Sequence, residues 1–249
     1  MRQLKELTDH IKKYKDAVII IGPGVQPNTK LNYTKEEFSE NYTRKKFRRE
    51  PEKLWDFFLD KLYYSIDEED INTYVYIKNL AKDSSIIVDQ NMNSPIIDNS
   101  KIVNIHGNFA TWCCPKCKIT YTSNYVMPEE DKIEKKCEVC GSYIRPKGLF
   151  VGERYDQANL NKIVDKLNET HTLFLIGVDY SEETILNYIS EYGNIAAFNS
   201  SEKDKEDKVI VAIQSKEEKF DPNELAFCDF LVKDNIKDAL ERFMKEYNK

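Results

Sequence analysis

Four cysteines in two C-x-x-C pairs restrict most strongly how this chain can fold. Cys114 and Cys117 form the first pair, and Cys137 and Cys140 form the second, with a polar stretch between them. Each pair presents two sulfurs from one turn, so two pairs can supply the four corners of a tetrahedral zinc site. The spacing therefore predicts a small module folded around a structural zinc ion that has no open position for catalysis.

Other uses of these cysteines remain open at this point. The pairs could instead be two redox-active dithiols or unrelated buried thiols. Cys113 directly precedes the first pair and could replace Cys114 as a ligand by a shift of one residue. Gly141 directly follows the second pair and favours zinc, because the backbone of a metal-binding knuckle turns sharply there.

The rest of the chain alternates short aliphatic runs with helical patterns. The clearest run, Ala17 to Ile21, has no polar alternation and ends in Gly22-Pro23-Gly24. Strands buried on both faces and alternating with helices predict an α/β fold with a parallel sheet that is covered on both sides. The other runs are 86–88, 102–105, 173–176, 195–198, 209–213 and 227–232, and the helical patterns include 4–14, 51–64, 158–168, 181–192 and 235–247.

Composition narrows the class of protein. The 249 residues include 37 Lys and Arg against 43 Asp and Glu, a net charge of -6, so we expect no direct nucleic-acid binding. The apolar runs are much shorter than the roughly 20 residues of a membrane span. The charged N-terminal segment lacks an apolar signal core, which predicts a cytoplasmic protein with reduced cysteines. Segment 26–50, rich in Lys, Arg and Asn, is interpreted as a solvated loop in preference to a functional patch.

Polar side chains follow two of the predicted strands. His106 ends the run that begins at Ile102, a position that suits proton transfer at a ligand crevice, although such a histidine is often structural. Gln90 and Asn91 follow the run of residues 86–88. Their amides could bind a carboxamide and a ribose, or could simply stabilise a turn.

These features, in this order, resemble the sirtuins. The resemblance rests on Gly22-x-Gly24, Gln90-Asn91, His106-Gly107, the two cysteine pairs and the stretch from Arg145 to Glu153, and the segment HGNFATWCCPKC is especially similar. It implies a Rossmann-like parallel-sheet domain and a smaller domain with a zinc ribbon and a helical insertion. The corresponding ranges are 1–29, 81–108 and 154–249 for the Rossmann-like NAD-binding domain, 30–80 for the helical insertion, and 109–153 for the zinc-binding module with the substrate strand.

The resemblance also implies an activity. It points to an NAD-dependent protein-lysine deacylase of the deacetylase type, a transferase that releases nicotinamide and O-acyl-ADP-ribose, with NAD as co-substrate and zinc as a structural ion. The partner would be an acylated-lysine protein or peptide, and His106 would be the general base. Gly22, Gly24, Gln90, Asn91, Asn93, Gly177 and Asn199 would bind NAD, while Gly148, Leu149, Phe150 and Gly152 would pair with the substrate peptide.

The cofactor segments depart from the sirtuin pattern. Pro23 removes an N–H from the phosphate loop, Gln26 replaces a serine, and Asp179 adds negative charge to a second turn. The family's Phe-Arg segment is missing, so Tyr33 or Phe38 would have to shield the cofactor. Two alternatives therefore stay open: an ADP-ribosyl transferase or NAD hydrolase on the same fold, and a non-catalytic sirtuin-like binding module.

Overall fold

A six-stranded parallel sheet forms the larger part of the molecule. The computed structural model describes residues 2–29, 31–62, 66–81, 84–96, 100–122, 134–179, 208–216 and 228–249. The predicted helix 181–192, the predicted strand 195–198 and Asn199 lie outside these ranges. In chain order the strands are β1 (Val18–Ile21), β2 (Ile86–Asp89), β3 (Ile102–Asn104), β4 (Thr111–Cys113), β5 (Thr120–Thr122), β6 (Arg145–Pro146), β7 (Thr172–Ile176), β8 (Val209–Gln214) and β9 (Phe230–Lys233).

The order of the strands locates the ligand crevice. The large sheet runs β3-β2-β1-β7-β8-β9, and each neighbouring pair is parallel. The direction of chain progression reverses between β1 and β7. In open α/β sheets ligands bind beyond the carboxyl ends of the strands at such a reversal. The residues that follow Ile21 and Ile176 therefore border the expected site.

Helices cover both faces of the sheet. Successive side chains of a strand point to opposite faces, so Ile19 and Ile21 pack into one core cluster, while Val18 and Ile20 pack into another. None of the helices in the described part of the chain combines the length and the apolar content needed to cross a membrane. The helices are α1 (Arg2–Tyr14), α2 (Lys35–Asn41), α3 (Arg44–Arg49), α4 (Pro51–Phe57), α5 (Glu68–Leu80), α6 (Gln157–Glu169) and α7 (Ile236–Tyr247), with a 3-10 turn at Pro23–Val25 and a π-helical turn at Phe58–Leu62.

The interpretation of segment 26–50 as a loop is wrong for its second half, which forms α2 and α3. The Thr34 hydroxyl accepts a hydrogen bond from Glu37 N at 3.1 Å, and the Glu37 carboxylate accepts one from Thr34 N at 2.8 Å. This reciprocal capping box starts α2, and the Thr43 hydroxyl starts α3 by accepting from Lys46 N at 3.0 Å. The T-x-x-E signature was readable in the sequence, but the high polarity of the segment concealed it.

A third core cluster unites two segments that the sequence separated. Helix α4 and its π-helical turn contribute Trp55 and Phe58, while the zinc-binding segment contributes Trp112 and Ile144. The Trp55 indole N–H also donates to the Ile144 carbonyl oxygen at 2.8 Å. The small antiparallel sheet, in the order β5-β4-β6, borders this cluster. Residues 31–62 and the zinc-binding segment therefore share one core, which we call the small lobe.

Helix α5 lies in the range 30–80 that the sequence assigns to the helical insertion, and it packs on the large sheet. Its apolar residues Tyr74, Ile77 and Leu80 are buried in the cluster that contains the large sheet and α7. The helix begins at Asp67, whose carboxylate accepts a hydrogen bond from Glu69 N. By its packing, α5 belongs to the helical layer on the sheet.

Candidate active site and metal centre

The four paired cysteines converge on one point. Their sulfur atoms all lie within 4.8 Å of one another, and the Cys114 and Cys140 sulfurs are 3.6 Å apart. A tetrahedral zinc ion with Zn–S bonds of about 2.3 Å places its sulfurs about 3.8 Å apart. Cys117 and Cys137 complete the set, and the described cysteines form no disulfide. The geometry fits one zinc ion with four thiolate ligands.

Two matching turns build this centre. Lys118 and Gly141, which each follow a C-x-x-C pair, have positive φ angles of 63° and 67°. Their N–H groups donate to the carbonyl oxygens of Cys114 and Cys137 at 2.9 and 2.8 Å. The turn predicted at Gly141 is confirmed, whereas the left-handed lysine was not foreseen. Cys113 instead lies in β4 outside the group, where burial raises the pKa of its thiol.

Glycines allow the backbone segments that follow β1 and β7 to pack closely against each other. A Cβ atom on Gly22 would lie 2.5 Å from the Gly177 carbonyl oxygen, and a Cβ on Gly177 would lie 2.7 Å from the carbonyl carbon of Gly24. Gly177 also has a φ angle of 58°, which disfavours any side chain. The structure thus brings together three residues that the sequence assigned to the cofactor site.

The backbone donors of the cofactor loop are engaged within the protein. Gly22 N donates to the Ile176 carbonyl oxygen at 3.0 Å, and Gly24 N donates to Gly177 at 2.9 Å. The N–H groups of Val25 and Gln26 close the 3-10 turn at 3.3 and 3.0 Å. Since proline has no N–H, residues 22–26 present no unengaged backbone donor. Gly22 and Gly24 thus take part in close backbone packing, and their contact with NAD stays a prediction.

A cavity of about 290 Å³ opens beside this loop. Gln90 is 8% exposed and lines the cavity, and its side-chain oxygen is buried without a hydrogen-bond partner. A buried acceptor without a partner that lines a cavity can accept a hydrogen bond from a ligand bound there. Such an amide fits the predicted contact with a nicotinamide riboside. The lining residues are Pro23, Gln26, Thr29, Leu31, Tyr33, Gln90, Asn91, Met92, Asn93 and Phe109.

Asn91 and Asn93 also border the cavity, but part of their polar capacity is used internally. The Asn91 amide nitrogen donates to the Gly22 carbonyl oxygen at 2.9 Å and lies within bonding distance of the Tyr74 hydroxyl and Asp89. The Asn93 carbonyl oxygen accepts from the Gln26 side chain at 3.2 Å. Asn91 thus offers a ligand only its side-chain oxygen, because both amide hydrogens are taken.

His106 lies next to this wall. Its Nδ1 is 2.6 Å from the Gln90 carbonyl oxygen, which can only accept, so Nδ1 carries the proton. Nε2 is therefore the acceptor of the neutral ring, and the Tyr155 hydroxyl donates to it at 3.0 Å. Burial lowers the pKa of His106 and outweighs the contact with Gln90, which raises it. The imidazole is neutral near neutral pH, as a general base requires.

The predicted substrate strand is bonded directly to His106. Leu149 N donates to the His106 carbonyl oxygen at 2.6 Å, and Gly148 lies against Phe109 and Tyr42 with no room for a side chain. The N–H groups of Phe150 and of Val151 next to it donate to Glu153 and Tyr42. Among the described residues, the N–H groups of Gly148 and Gly152 have no recorded partner, and the pairing of this segment with a peptide stays a prediction.

An ion pair braces this strand. The Arg145 guanidinium bonds both carboxylate oxygens of Glu153 at 2.7 and 3.0 Å, donates to Gly148 O at 2.8 Å and lies 3.5 Å from the centre of the Phe150 ring. Burial alone would raise the pKa of Glu153, but the hydrogen bonds from Arg145 and Phe150 lower it. Arg145 and Glu153 bound the stretch that resembles the sirtuins, but the sequence assigned neither residue a role.

Comparison with known proteins agrees with this geometry. A model of the Sir2 family matches residues 28–181, which is more than half of the chain. The chain belongs to the Sir2 family. An NAD-dependent protein deacetylase of Clostridium perfringens is 23% identical over 234 residues, covering 85% of this chain and 93% of that protein. Another, from Staphylococcus epidermidis, is 31% identical over 88 residues, which is 35% of each protein.

Solved Sir2 structures confirm the fold expected from the resemblance. A Sir2 enzyme studied for its mechanism and regulation matches with a TM-score of 0.71 at 17% identity, covering 98% of this chain and 96% of that one. A Sir2 homolog in complex with NAD matches with a TM-score of 0.70 at 15% identity, covering 98% and 93%. This Sir2 protein therefore has the expected fold, with a Rossmann-like sheet and a smaller zinc-binding part.

Sequence reasoning missed the contact of Tyr155 with His106. No motif pairs Tyr155 with His106, which lies 49 positions earlier, and their rings stack with centres 5.5 Å apart. A contact of this kind depends on how the strand after Arg145 folds back over β3. The sequence contains no signal for that approach.

Zinc removal should loosen the small lobe before the sheet. Both tryptophans of the chain, Trp55 and Trp112, lie in the small-lobe core, so their fluorescence reports on this lobe alone. We expect chelation, or joint replacement of Cys137 and Cys140 by serine, to change the tryptophan emission at temperatures where far-ultraviolet circular dichroism still reports an intact sheet. Full metal retention by the double variant would contradict the assignment, and Cys113→Ser is the matched control.

Replacing Tyr155 by phenylalanine should raise the pKa of His106. The hydroxyl donates to the neutral form of the ring, and a hydrogen bond to the neutral form of a histidine disfavours protonation. Three histidines are present, so nuclear magnetic resonance of labelled imidazoles can follow each titration. Tyr76→Phe on α5 serves as the control. An unchanged or lower pKa in Tyr155→Phe would show that the hydroxyl does not act on Nε2.

Proposed function

We propose that this Sir2 protein is an NAD-dependent protein-lysine deacylase that releases nicotinamide and O-acyl-ADP-ribose. One observation carries the proposal: His106, held as a neutral base, joins the wall of the Gln90 cavity to the strand assigned to the substrate. The NAD-dependent protein deacetylases of Clostridium perfringens and Bacillus anthracis support the same activity. The chemistry that bound NAD supplies is a ribose carbon that exchanges nicotinamide for the acyl oxygen of a modified lysine.

His106 is the proposed general base. The Gln90 carbonyl fixes the proton on Nδ1, so Nε2 is the atom that can take a proton from a ribose hydroxyl. The Tyr155 hydroxyl occupies this position in the structure and has to yield it to the sugar. The lowered pKa keeps Nε2 unprotonated at neutral pH. A positioned base of this kind contributes about a hundred- to ten-thousand-fold to a rate.

The remaining predicted residues have narrower roles in this proposal. Gln90 supplies an amide for the nicotinamide riboside, and Asn91 and Asn93 shape the same wall. Tyr33 lines the cavity and stacks on Phe38 at 5.4 Å between ring centres, which suits it to shielding a cofactor. Gly148, Leu149, Phe150 and Gly152 form the strand against which an acyl-lysine peptide would lie. Asn199 stays a proposed adenosine contact.

The functions assigned to the two parts of the chain and the cellular location of the protein are also proposals. The Rossmann-like domain would bind NAD, and the small lobe would hold zinc and substrate, with the boundary of the helical insertion moved ahead of α5. Four cysteines placed as zinc ligands and two more without a disulfide bond are consistent with the proposed reducing cytoplasm. A deacetylated p53 peptide bound to a Sir2 protein of 18% identity supports a peptide partner.

One observation favours a second function, a non-catalytic binding module. The engaged N–H groups of residues 22–26 leave the loop without backbone donors for a pyrophosphate. A chain that binds acyl peptide but neither binds NAD tightly nor turns the peptide over would match this alternative. Nicotinamide release without deacylation of any lysine peptide would instead indicate an NAD hydrolase or an ADP-ribosyl transferase.

Gln90→Met should separate NAD binding from stability. Methionine removes an unpaired buried acceptor, so we expect equal or higher thermal stability, together with about a ten-fold or greater loss of NAD affinity. Calorimetric titration with NAD and thermal melting measure the two effects. Gln157→Met, on the exposed start of α6, is the control for the substitution. Unchanged NAD affinity in Gln90→Met would remove Gln90 from the cofactor site.

His106→Ala should abolish deacylation while it leaves the fold and much of the NAD binding intact. The proposed base acts after nicotinamide departs, so nicotinamide exchange is expected to survive and only the later step to stop. The measurements are turnover of a panel of acylated peptides, nicotinamide exchange and thermal melting. His10→Ala, on α1, is the matched control. Equal deacylation rates for His106→Ala and the wild type would refute the assignment.

A further inference from the structure

Helix α3 concentrates positive charge on an acidic protein. Its sequence is RKKFRR, so Phe47 is the one uncharged residue between Arg44 and Arg49, while the whole chain carries a net charge of -6. The helix has no acidic residue in its first turn. Cations at a helix N-terminus oppose the helix dipole. Arg44 and Lys45 at the start of α3 therefore do not stabilise it, whereas Lys46, Arg48 and Arg49 in the last turn do, so helix stability accounts for only part of this charge.

Most of this charge is available to a partner. Lys46 forms an ion pair with Glu50 at 2.8 Å. Across the described ranges no ion pair is recorded for the other four cations, Arg44, Lys45, Arg48 and Arg49, all of which are exposed. Exposed guanidinium and ammonium groups without partners attract carboxylates over about a Debye length, roughly 8 Å at physiological salt.

The helix is fixed beside the proposed substrate strand. Thr43, which caps α3, forms a parallel bridge with Val151, and Val151 N donates to the Tyr42 carbonyl oxygen at 3.0 Å. Phe47 turns toward the strand, with its ring centre 5.9 Å from that of Phe150. The one apolar side of α3 thus faces the strand, and the four cations occupy its remaining sides.

The exposed part of the strand lies at the same place. Val151 is 41% exposed, and Gly152 is exposed with open space around its Cα. The positive charge of Arg44 acts on the residue next to Gly152, because it contributes to the lowered pKa of Glu153. A peptide that pairs at Gly152 advances about 3.3 Å per residue. Residues two to four positions from the acyl-lysine can therefore reach α3.

We propose that α3 selects acyl-lysine substrates with acidic residues near the modified lysine. The inference rests on the proposed deacylase function and names its substrate class. An acidic peptide fits better than a nucleic acid, because the patch is a single short helix of about 9 Å on a chain of net negative charge. The carboxylates bind to Arg44, Lys45, Arg48 and Arg49 while the acyl-lysine enters toward His106.

Paired peptides provide the test. Two acetyl-lysine peptides differ in having Asp and Glu, or Asn and Gln, at the positions two to four residues from the lysine on both sides. Binding is measured by fluorescence anisotropy and turnover by kcat/KM, at low and high salt. The variant Arg48→Glu/Arg49→Glu reverses the charge at the end of α3, and Lys237→Glu/Lys245→Glu on α7 makes the same charge change elsewhere.

The wild type should bind the acidic peptide about 3- to 30-fold more tightly, and the preference should disappear at high salt. Arg48→Glu/Arg49→Glu should lose it through KM with kcat unchanged, while the α7 variant keeps it. Equal binding of both peptides by the wild type would overturn the inference, even if both are deacylated. Acidic preference in binding without turnover would support it and reject the deacylase. Tighter binding of single-stranded nucleic acid than of the acidic peptide, lost in the same variant, would also overturn it.

Discussion

The backbone contact between the turn after β3 and the strand after β6 joins the two parts of this molecule. Leu149 N bonds to the carbonyl oxygen of His106 at 2.6 Å, and a Cβ on Gly107 would lie 2.1 Å from the Lys147 carbonyl oxygen. Only a glycine with positive φ permits this approach. The contact places the proposed base between cofactor cavity and substrate strand. Main-chain atoms thus set the distance between the proposed cofactor cavity and the proposed substrate strand, and main-chain atoms change position less readily than side chains.

The zinc site and the aromatic core of the small lobe both hold that strand in position. The metal fixes the two cysteine turns, and the aromatic cluster of the small lobe connects them to α4 through Trp55. Arg145 then ties the strand to Glu153 within the same lobe. The zinc centre has no open ligand position, and its four cysteines are not among the residues that line the cavity. Its influence on catalysis is therefore transmitted by the position of the strand.

The sequence predicted what depends on local pattern. Aliphatic runs located the strands of the described sheet, because a strand buried on both faces admits few polar residues, and cysteine spacing located the metal group. Helices α2 and α3 were missed, since charge dominated their composition and their apolar contacts are made by single residues such as Phe47. The contact between Tyr155 and His106 and the engaged donors of residues 22–26 arise from tertiary approach. No local pattern encodes them.

The engaged loop shifts the expected source of NAD affinity. A glycine-rich loop normally binds a pyrophosphate with free N–H groups, but here the N–H groups of Gly22 and Gly24 bond to the neighbouring turn. Among the residues that line the cavity, Gln90 has a buried side-chain oxygen without a recorded partner, on the nicotinamide side of the proposed cofactor site. Recognition at that end depends on hydrogen bonds to neutral groups, which are worth less than contacts with phosphate. Affinity for NAD should then come mainly from the end of the cofactor where the proposed chemistry occurs, so that cofactor binding and catalysis depend on the same wall.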